Sequence, residues 1–237
     1  MKYMKSLITA LILVPLFSFA MITNVQDDNV KQTRDVPSFS SISLSIAADV
    51  HLKQGAKQEV IVEGDKDVLD VLKTEVQGKT LKIYLDKWFM SSYKKVTIYI
   101  TVPEIDGLKI TGSGNITAET PVNTSDIDFT ITGSGDIDIS ELKADQIKAS
   151  ITGSGTINLA GKQTVSSMDV HISGSGDVNA DKLEVKNFDA SITGSGDCRI
   201  TATEVLKARV SGSGDIYYKG KPRMDVNITG SGKLRSL

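Results

Sequence analysis

The sequence predicts an all-β protein whose main part is a right-handed parallel β-helix, a solenoid of coils of about 20 residues each. Three observations support this prediction. The tripeptide Gly-Ser-Gly occurs seven times, with starts 18 to 21 residues apart. Apolar and polar residues alternate on both sides of each copy, as in strands with one buried face. One repeat is too small to form a core alone, so the copies must stack on one another.

The glycines of the tripeptide are predicted to form a recurring corner. Glycine adopts backbone conformations forbidden to other residues, and it lets neighbouring coils approach closely. A barrel of hairpins is the competing architecture, but it would require alternating turn types rather than one repeated corner. The column two residues before the corner is apolar in every copy and consists of Ile110, Ile131, Ile151, Ile172, Ile192, Val210 and Ile228.

Residues 1–20 have the pattern of a secretory signal peptide. Lys2 and Lys5 precede an apolar run from Leu7 to Phe19, and Ser18-Phe19-Ala20 places small residues where a signal peptidase cuts. This run is shorter than a comfortable membrane span, so we favour cleavage over an uncleaved anchor and expect no span in the mature chain. The protein is therefore predicted to be exported, to the periplasm, the cell surface or the medium.

The segment between the signal peptide and the repeats divides in two. Residues 21–35 are polar and are predicted to form a flexible leader. Residues 36–107 carry several alternating stretches, which indicates a β-rich N-terminal cap or the first irregular coils of the solenoid. They are expected to form one continuous domain with the repeats of residues 108–237. A short helix is predicted from Asp67 to Val76, where apolar residues recur at helical spacing, and a turn at Gly78.

Composition excludes several kinds of partner. The net charge of −2 argues against nucleic acid and gives no sign of a polybasic patch for a membrane surface. Cys198 is the single cysteine, so an internal disulfide is impossible. Since Cys198 occupies an apolar column of the repeat, we expect an inward thiol that behaves as a small hydrophobic group.

Several segments together carry a family resemblance. They are Val-Pro-Ser-Phe-Ser-Ser-Ile at 36–42, the strand Val60–Gly64, Leu81-Lys82-Ile83 and the serial Thr-Gly-Ser-Gly-Asp-Ile corners. After an export signal, this order resembles the bacterial auto-transporter adhesin head GIN domain family over about residues 36–237. The resemblance implies a β-helix similar to pectin lyases, no recognised catalytic set and a role in adhesion. No translocator barrel or sorting domain follows the last corner, so autotransport itself is not expected.

An outward column of aspartates follows the corners and consists of Asp136, Asp177, Asp197 and Asp215. Calcium is one possible ligand, since it takes about six to eight oxygens. Thr156 interrupts the column and Lys233 closes it, however, and the calcium-roll motif is absent. We therefore favour a structural role, in which each carboxylate caps its own turn by accepting a bond from a backbone N–H.

An aromatic stretch is the second candidate site. Trp88, Phe89, Met90 and Tyr93 lie close together in a chain that has few aromatic residues. Such side chains are enriched at interfaces. They are candidates for a binding interface, or alternatively for a plug at the open end of the solenoid.

The repeated polar columns favour a non-enzymatic surface or envelope protein that binds cells, glycans or matrix. A polysaccharide-active enzyme is the alternative, because Asp136 and Asp138 form a pair of carboxylates on one face. Repeated copies of such a pair argue against a unique catalytic site. A periplasmic structural or signalling module is a third possibility. No catalytic, cofactor or metal-binding residues are assigned; the expected partner is a surface protein or glycan, with homo-oligomers possible.

Overall fold

The structure is a computed structural model that describes residues 29–86 and 95–237. The predicted signal peptide and the aromatic residues Trp88, Phe89, Met90 and Tyr93 lie outside the described residues.

The N-terminal region contains seven strands and one short helix among the described residues. These are β1 (Asn29–Thr33), β2 (Ser41–Leu44), β3 (Ala48–Gln54), β4 (Glu59–Asp65), α1 (Lys66–Val71), β5 (Leu72–Gln77), β6 (Thr80–Leu85) and β7 (Val96–Val102).

The repeat region consists of strands that run into and out of the Gly-Ser-Gly corners. These are β8 (Gly107–Gly112), β9 (Asn115–Ala118), β10 (Val122–Asn123), β11 (Asp126–Gly133), β12 (Asp136–Ile139), β13 (Leu142–Lys143), β14 (Gln146–Gly153), β15 (Thr156–Ala160), β16 (Val165–Gly174), β17 (Asp177–Gly194), β18 (Cys198–Gly212), β19 (Ile216–Lys219), β20 (Arg223–Gly230) and β21 (Leu234–Ser236).

Neighbouring coils pair in parallel and in the register of the repeat. Ile131 lies opposite Ile151, and Gly133 lies opposite Gly153 on one side and Gly112 on the other. Because a hairpin barrel would need antiparallel neighbours, this register confirms the predicted β-solenoid. We call the side of the solenoid formed by the strands that run into the corners face A, and the side formed by the strands that leave the corners face B.

Apolar columns fill the interior, as the alternation predicts. Ile131, Ile151 and Ile172 on face A and Ile137 and Ile157 on face B are each fully buried. Burying each such side chain contributes about 1.5–3 kcal/mol relative to leaving it in water. Cys198 is buried in the face B column, which confirms its predicted inward position.

The corner requires glycine at two positions for different reasons. At Gly133 the backbone has a φ of 129°, which L residues rarely adopt, and a Cβ there would overlap the carbonyl oxygen of Gly112. At Gly135 the obstacle is packing alone, because a Cβ would overlap the carbonyl oxygen of Gly114. Between them, the N–H of Ser134 donates to the carbonyl of Gly112 at 2.8 Å, so the backbone ladder continues through the corner.

The N-terminal region forms both coils and a cap. Strands β2 and β3 form a coil that pairs in parallel with β8 and β9, and β6 and β7 pair in parallel on its other side. Antiparallel strands close this end: β5 pairs with β6, β4 pairs with β7, and β1 pairs with β4. The sequence left open a β-rich cap or the first irregular coils of the solenoid, and this region contains both.

Two predictions for this region need correction. Asn29–Thr33, expected in the flexible leader, forms β1, because the exposed edge of β4 offers it a partner. The helix expected from Asp67 to Val76 covers only Lys66–Val71. Beyond it the chain turns into β5, which forms a hairpin with β6 through the predicted turn at Gly78. Cross-strand pairing therefore overrides the helical spacing in this segment.

Candidate binding surfaces on the outside of the solenoid

The described coils have a filled interior, so the chemistry available to a ligand lies on their outer faces. Among the described residues, no group of three or more His, Cys, Asp or Glu side chains is arranged to hold a metal ion. Likewise, no helix in the described ranges is long and apolar enough to cross a membrane.

The aspartate column of face B joins one coil to the next. The Oδ1 of Asp136 accepts a hydrogen bond from the backbone N–H of Thr156 at 2.9 Å. In the same way, Oδ1 of Asp177 accepts from the N–H of Asp197, and Oδ1 of Asp197 accepts from the N–H of Asp215, both at 2.8 Å. The prediction that each carboxylate caps its own turn is therefore wrong in its geometry. Each carboxylate instead accepts a hydrogen bond from the backbone N–H at the equivalent position of the next coil.

This bond requires an oxygen acceptor but no negative charge. Asn115, which precedes the column, accepts from the N–H of Asp136 through its amide oxygen at 3.2 Å. At the break in the column, the N–H of Asp177 instead donates to the carbonyl of Gly155 at 3.1 Å. The column is thus mainly a device for satisfying backbone donors near the corners.

The candidate acid pair of face B is engaged in similar bonds. Asp138 Oδ1 accepts from the side-chain amide of Asn158 at 2.6 Å, and the amide oxygen of Asn158 accepts from Asn179 at 2.9 Å. With Asp136 bonded to the next coil, both carboxylates act as acceptors between coils.

Asp215 lies in a more crowded polar cluster. Its Oδ2 accepts from Arg235 Nε at 2.9 Å, and its Oδ1 accepts from the N–H of Lys233 at 2.7 Å. Desolvation by itself would raise the pKa of Asp215, but these two donors and Tyr217 outweigh it and hold the pKa below its usual value. Asp215 is therefore a carboxylate that resists protonation.

Face A presents a column of hydroxyl groups immediately before the corners. Neighbouring members lie on adjacent strands, so they follow one another at about 4.8 Å. Most are exposed to solvent. The column consists of Thr111, Thr132, Thr152, Ser173, Thr193, Ser211 and Thr229.

A groove of about 780 Å³ lies at the start of the face A strands. Gly107 helps to form the hollow, because it carries no side chain between Ser41 and Asp128, its neighbours in register. A Cβ at Gly107 would lie 2.8 Å from the hydroxyl oxygen of Ser41. The charged side chains that line the groove are Lys82, Lys109, Lys148, Asp106, Asp126 and Asp128.

The charges in the groove differ in how they are satisfied. Asp106 accepts hydrogen bonds from the hydroxyl groups of Ser40 and Ser41. Lys82 donates to the neutral side chain of Gln77 at 2.5 Å. Within the described residues, Lys109 and Lys148 have no carboxylate within ion-pair distance. The groove therefore offers free amines beside carboxylate and hydroxyl groups.

Sequence reasoning missed this groove. It placed Lys109 in the outward polar column of the repeat but could not place Lys82 beside it. The two lysines are 27 positions apart in sequence but two strands apart in the sheet, with Ser43 between them. The missing signal is the order of the N-terminal coils, which the repeat does not encode.

The fold defines a class of protein: a β-solenoid whose described coils have an interior filled by side chains. The family model described as "Putative auto-transporter adhesin, head GIN domain" matches residues 38–222. The chain belongs to this family. Among curated protein sequences, none matches the chain.

Solved structures give the same fold. A crystal structure described as a putative adhesin from Bacteroides fragilis is 27% identical, with a TM-score of 0.83 over 88% of this chain and 97% of that chain. A protein from Parabacteroides distasonis, described as a putative lipid binding protein, is 26% identical, with a TM-score of 0.74 over 90% and 98%. A second protein from that organism, described as a putative adhesin, is 24% identical, with a TM-score of 0.71 over 90% and 98%; at this identity it supports the fold alone.

Proposed function

We propose that this protein is an exported, non-enzymatic adhesin that binds a glycan or protein ligand in the groove of face A. The observation that carries the proposal is the groove itself, a concave surface of mixed polar and apolar lining on a packed solenoid from an adhesin family. A concave pocket with a few convergent polar groups is the usual form of a ligand site.

The groove chemistry suits a ligand rich in hydroxyl groups that also carries negative charge. Lys109 and Lys148 are free to meet carboxylate or sulfate groups, and the exposed carboxylate of Asp128 can accept from ligand hydroxyls. Exposed ion pairs contribute only up to about 1 kcal/mol each. Affinity for a single short ligand is therefore expected to be weak, and repeated contacts along a polymer or a cell surface would strengthen it.

A non-enzymatic role is supported by the acidic residues of face B. Their oxygens are engaged by backbone and amide donors, and they repeat from coil to coil instead of converging on one point. Export is supported by the signal peptide pattern of residues 1–20. One structural neighbour is described as lipid-binding. In the described coils the interior is filled by side chains such as Ile131 and Ile151, so a lipid would have to be held on the outside.

The groove is tested by a binding screen of the mature protein against immobilised acidic and neutral polysaccharides. The double variant Lys109→Gln with Lys148→Gln should reduce binding of the preferred acidic polymer about tenfold or more. The matched control Lys143→Gln with Lys186→Gln removes the same charge from exposed positions outside the groove and should change binding less than twofold. Equal losses in both double variants would show that net charge, and not the groove, determines binding.

The aromatic stretch is a second proposed contact. Replacing Trp88 and Phe89 by Ala should weaken binding or self-association if they are interface anchors. A lower melting temperature with unchanged binding would instead assign them to the end of the solenoid.

If polysaccharide is cleaved, and cleavage disappears when Asp136, Asp177, Asp197 and Asp215 are all changed to Asn, the adhesin proposal is wrong and the protein is an enzyme.

A further inference from the structure

A second hollow lies on face B, away from the groove of face A. Its volume is about 440 Å³, and it lies at the ends of β12 and β15 and beside an irregular part of β17. It shares no lining residue with the groove of face A, so the two surfaces can be tested separately. Its polar lining consists of Asp138, Ser140, Asn158, Asn179, Asp181 and Lys182.

One wall of the hollow is a row of side chains that are bonded from coil to coil. Asp138, Asn158 and Asn179 lie in register on neighbouring strands. Nδ2 of Asn158 donates to Oδ1 of Asp138 at 2.6 Å, and Nδ2 of Asn179 donates to Oδ1 of Asn158 at 2.9 Å. Because an ionised carboxylate can only accept, these bonds run in one direction along the row. Each amide group is therefore held in one orientation. We call these three side chains the amide row.

The amide row keeps hydrogen-bonding groups that its own bonds do not use. A side-chain amide has two N–H donors, and Asn158 and Asn179 each use one of them in the row. The side-chain hydrogen bonds of the described residues engage Oδ1 of Asp138 and leave its Oδ2 open. All three side chains are partly exposed, so an acceptor and two donors face the solvent side by side.

Small side chains open the space beside the amide row. Ile139 and Leu159 pair in register, and the residues that follow them are Ser140 and Ala160. In the preceding coil the equivalent position is occupied by the much larger Glu119. The bonds of the amide row would join the coils whatever residue followed them. Stacking alone therefore does not account for the hollow.

The far side of the hollow is formed by a break in the repeat. The coil from Gly174 to Gly194 spans 20 residues, but the next coil spans only 18. The additional length bulges out of β17 at residues 181–183, which have no partners in β18. Asp181 is held there by Lys219 of β19 at 2.7 Å. Since bulges redirect side chains and interrupt regular pairing, this part of the surface differs from the uniform columns of the repeat.

The charges around the hollow balance one another. Asp138 and Asp181 are negative, Lys182 lines the same hollow, and Lys219 pairs with Asp181. The groove of face A differs, because its Lys109 lies outside ion-pair distance of any carboxylate among the described residues. A ligand without net charge is therefore the better match for the hollow of face B.

We infer that this hollow binds neighbouring hydroxyl groups of a neutral saccharide. A hydroxyl group both donates and accepts, so one sugar hydroxyl can donate to Oδ2 of Asp138 and accept from the unused N–H of Asn158. The next hydroxyl can accept from Asn179, and hydrogen bonds linked in this way strengthen one another. Such a site is separate from the groove of face A, so the inference does not rest on the proposed function.

The test is a heteronuclear NMR titration of the mature protein with cellohexaose, mannohexaose and maltohexaose. The side-chain amide signals of Asn158 and Asn179 should shift and saturate with at least one of these neutral oligosaccharides. Because few solvent-exposed hydrogen bonds are formed, we expect affinity in the millimolar range. Heparin fragments, which are acidic, should leave both signals in place.

Two variants separate binding from a purely structural role of the amide row. Ala160→Trp fills the hollow but removes no bond of the row, so it should weaken binding by about tenfold or more with little change in melting temperature. Asn158→Ala should weaken binding by a similar factor. Its matched control is Asn187→Ala, since Asn187 also donates to a neighbouring coil, at Ser166, but lies outside the hollow. This control should change binding less than about twofold.

Three results would overturn the inference. They are no shift of the two amide signals with any of the three oligosaccharides, parental binding by Ala160→Trp, and equal losses in Asn158→Ala and Asn187→Ala. Self-association without saccharide that disappears in Ala160→Trp would assign the hollow to a second copy instead. The groove variant Lys109→Gln with Lys148→Gln should bind the neutral oligosaccharide as the parent does. Failure of the adhesin proposal and failure of this inference therefore give different results.

Discussion

The repeat region and the N-terminal region build the same kind of coil by different means. In the repeats, every coil meets its neighbours through equivalent positions of the repeat, and the corner is always Gly-Ser-Gly. In the coil of β2 and β3 the positions in register with Gly112-Ser113-Gly114 are Ile46-Ala47-Ala48, which contain no glycine. In the repeat corners the first glycine has a positive φ, and most corner glycines leave no room for a Cβ beside the preceding coil. The comparison shows that a coil of this kind can turn without glycine, whereas the stacked repeat corners use it for both backbone conformation and close approach.

The two regions also differ in chain order. In the repeats each coil follows its predecessor, but the coil of β2 and β3 lies between the coil of β6 and β7 and the coil of β8 and β9. The chain therefore runs outward to the end of the stack and returns across it. Side chains fix this detour: Gln54 binds the carbonyls of Pro103 and Asn123, and Asp106 accepts from Ser40 and Ser41.

The largest expected effect is at a corner glycine. Gly194 has a φ of 127°, and a Cβ there would overlap the carbonyl oxygen of Gly174. Gly194→Val should therefore lower the free energy of unfolding by more than about 4 kcal/mol, or prevent folding, because strain and overlap add. Ser195→Ala, at an exposed side chain, should change it by no more than about 0.5 kcal/mol. Urea unfolding measures both.

Gly112 separates the two causes of destabilisation at a corner, backbone strain and overlap with the neighbouring coil. Its φ is 117°, similar to that of Gly194, but no atom lies within 4 Å of a Cβ built there. Gly112→Ala should therefore cost about 1–3 kcal/mol from backbone strain alone, well below Gly194→Ala. If the two alanine variants unfold at the same urea concentration, close approach between corners is not the constraint.

The next effect is at Cys198, inside the apolar column. Cys198→Asp should cost several kcal/mol, because the carboxylate would be buried without a partner. Cys198→Val should cost less than about 1.5 kcal/mol, since Val178 occupies the same position in the neighbouring coil. Burial raises the pKa of the Cys198 thiol, and the nearby carboxylates of Asp177 and Asp197 add to the shift. A bulky thiol reagent should label the native protein far more slowly than the urea-unfolded protein; equal rates would place the thiol at the surface.

A smaller effect is expected in the N-terminal region. Gln54 donates to the carbonyls of Pro103 and Asn123, both at 3.0 Å, and accepts from the N–H of Asn123 at 2.7 Å. Gln54→Ala should cost about 1–2 kcal/mol, because three partly solvated bonds are lost. Gln163→Ala in the repeat region is the control, since Gln163 makes no side-chain hydrogen bond in the described structure. Similar melting temperatures for both variants would show that the hydrogen bonds of Gln54 do not stabilise the path of the chain through the N-terminal coils.

The sequence predicts the structure of the repeat region well and that of the N-terminal region less well. The columns around Ile131 and Ile137 predict strands, corners and inward faces, because every coil meets a copy of itself. The position of β2 could not be predicted, since its partners β6 and β8 are distant in sequence and nothing repeats between them. For the same reason the sequence could not show that Lys82 and Lys109 line one groove, on either side of Ser43. For Asp197 the sequence predicts a cap near the corner but not which coil supplies the N–H.

The smallest effect, and the one that distinguishes an oxygen acceptor from a charge, concerns the aspartate column. Asp197→Ala removes the acceptor for the N–H of Asp215 and should cost about 1 kcal/mol. Asp197→Asn keeps an oxygen in place, as Asn115 does natively, so its stability should stay within about 0.5 kcal/mol of the unchanged protein. Carboxylates about 4.8 Å apart repel by about 0.9 kcal/mol in a water-like dielectric, and salt screens this repulsion. The Asn variant should therefore gain most, relative to the parent, at low ionic strength. Thermal melts of the parent and both variants in 10 mM and 500 mM salt measure this; an Asn variant as unstable as the Ala variant at both salt concentrations would show that the column acts through its charge.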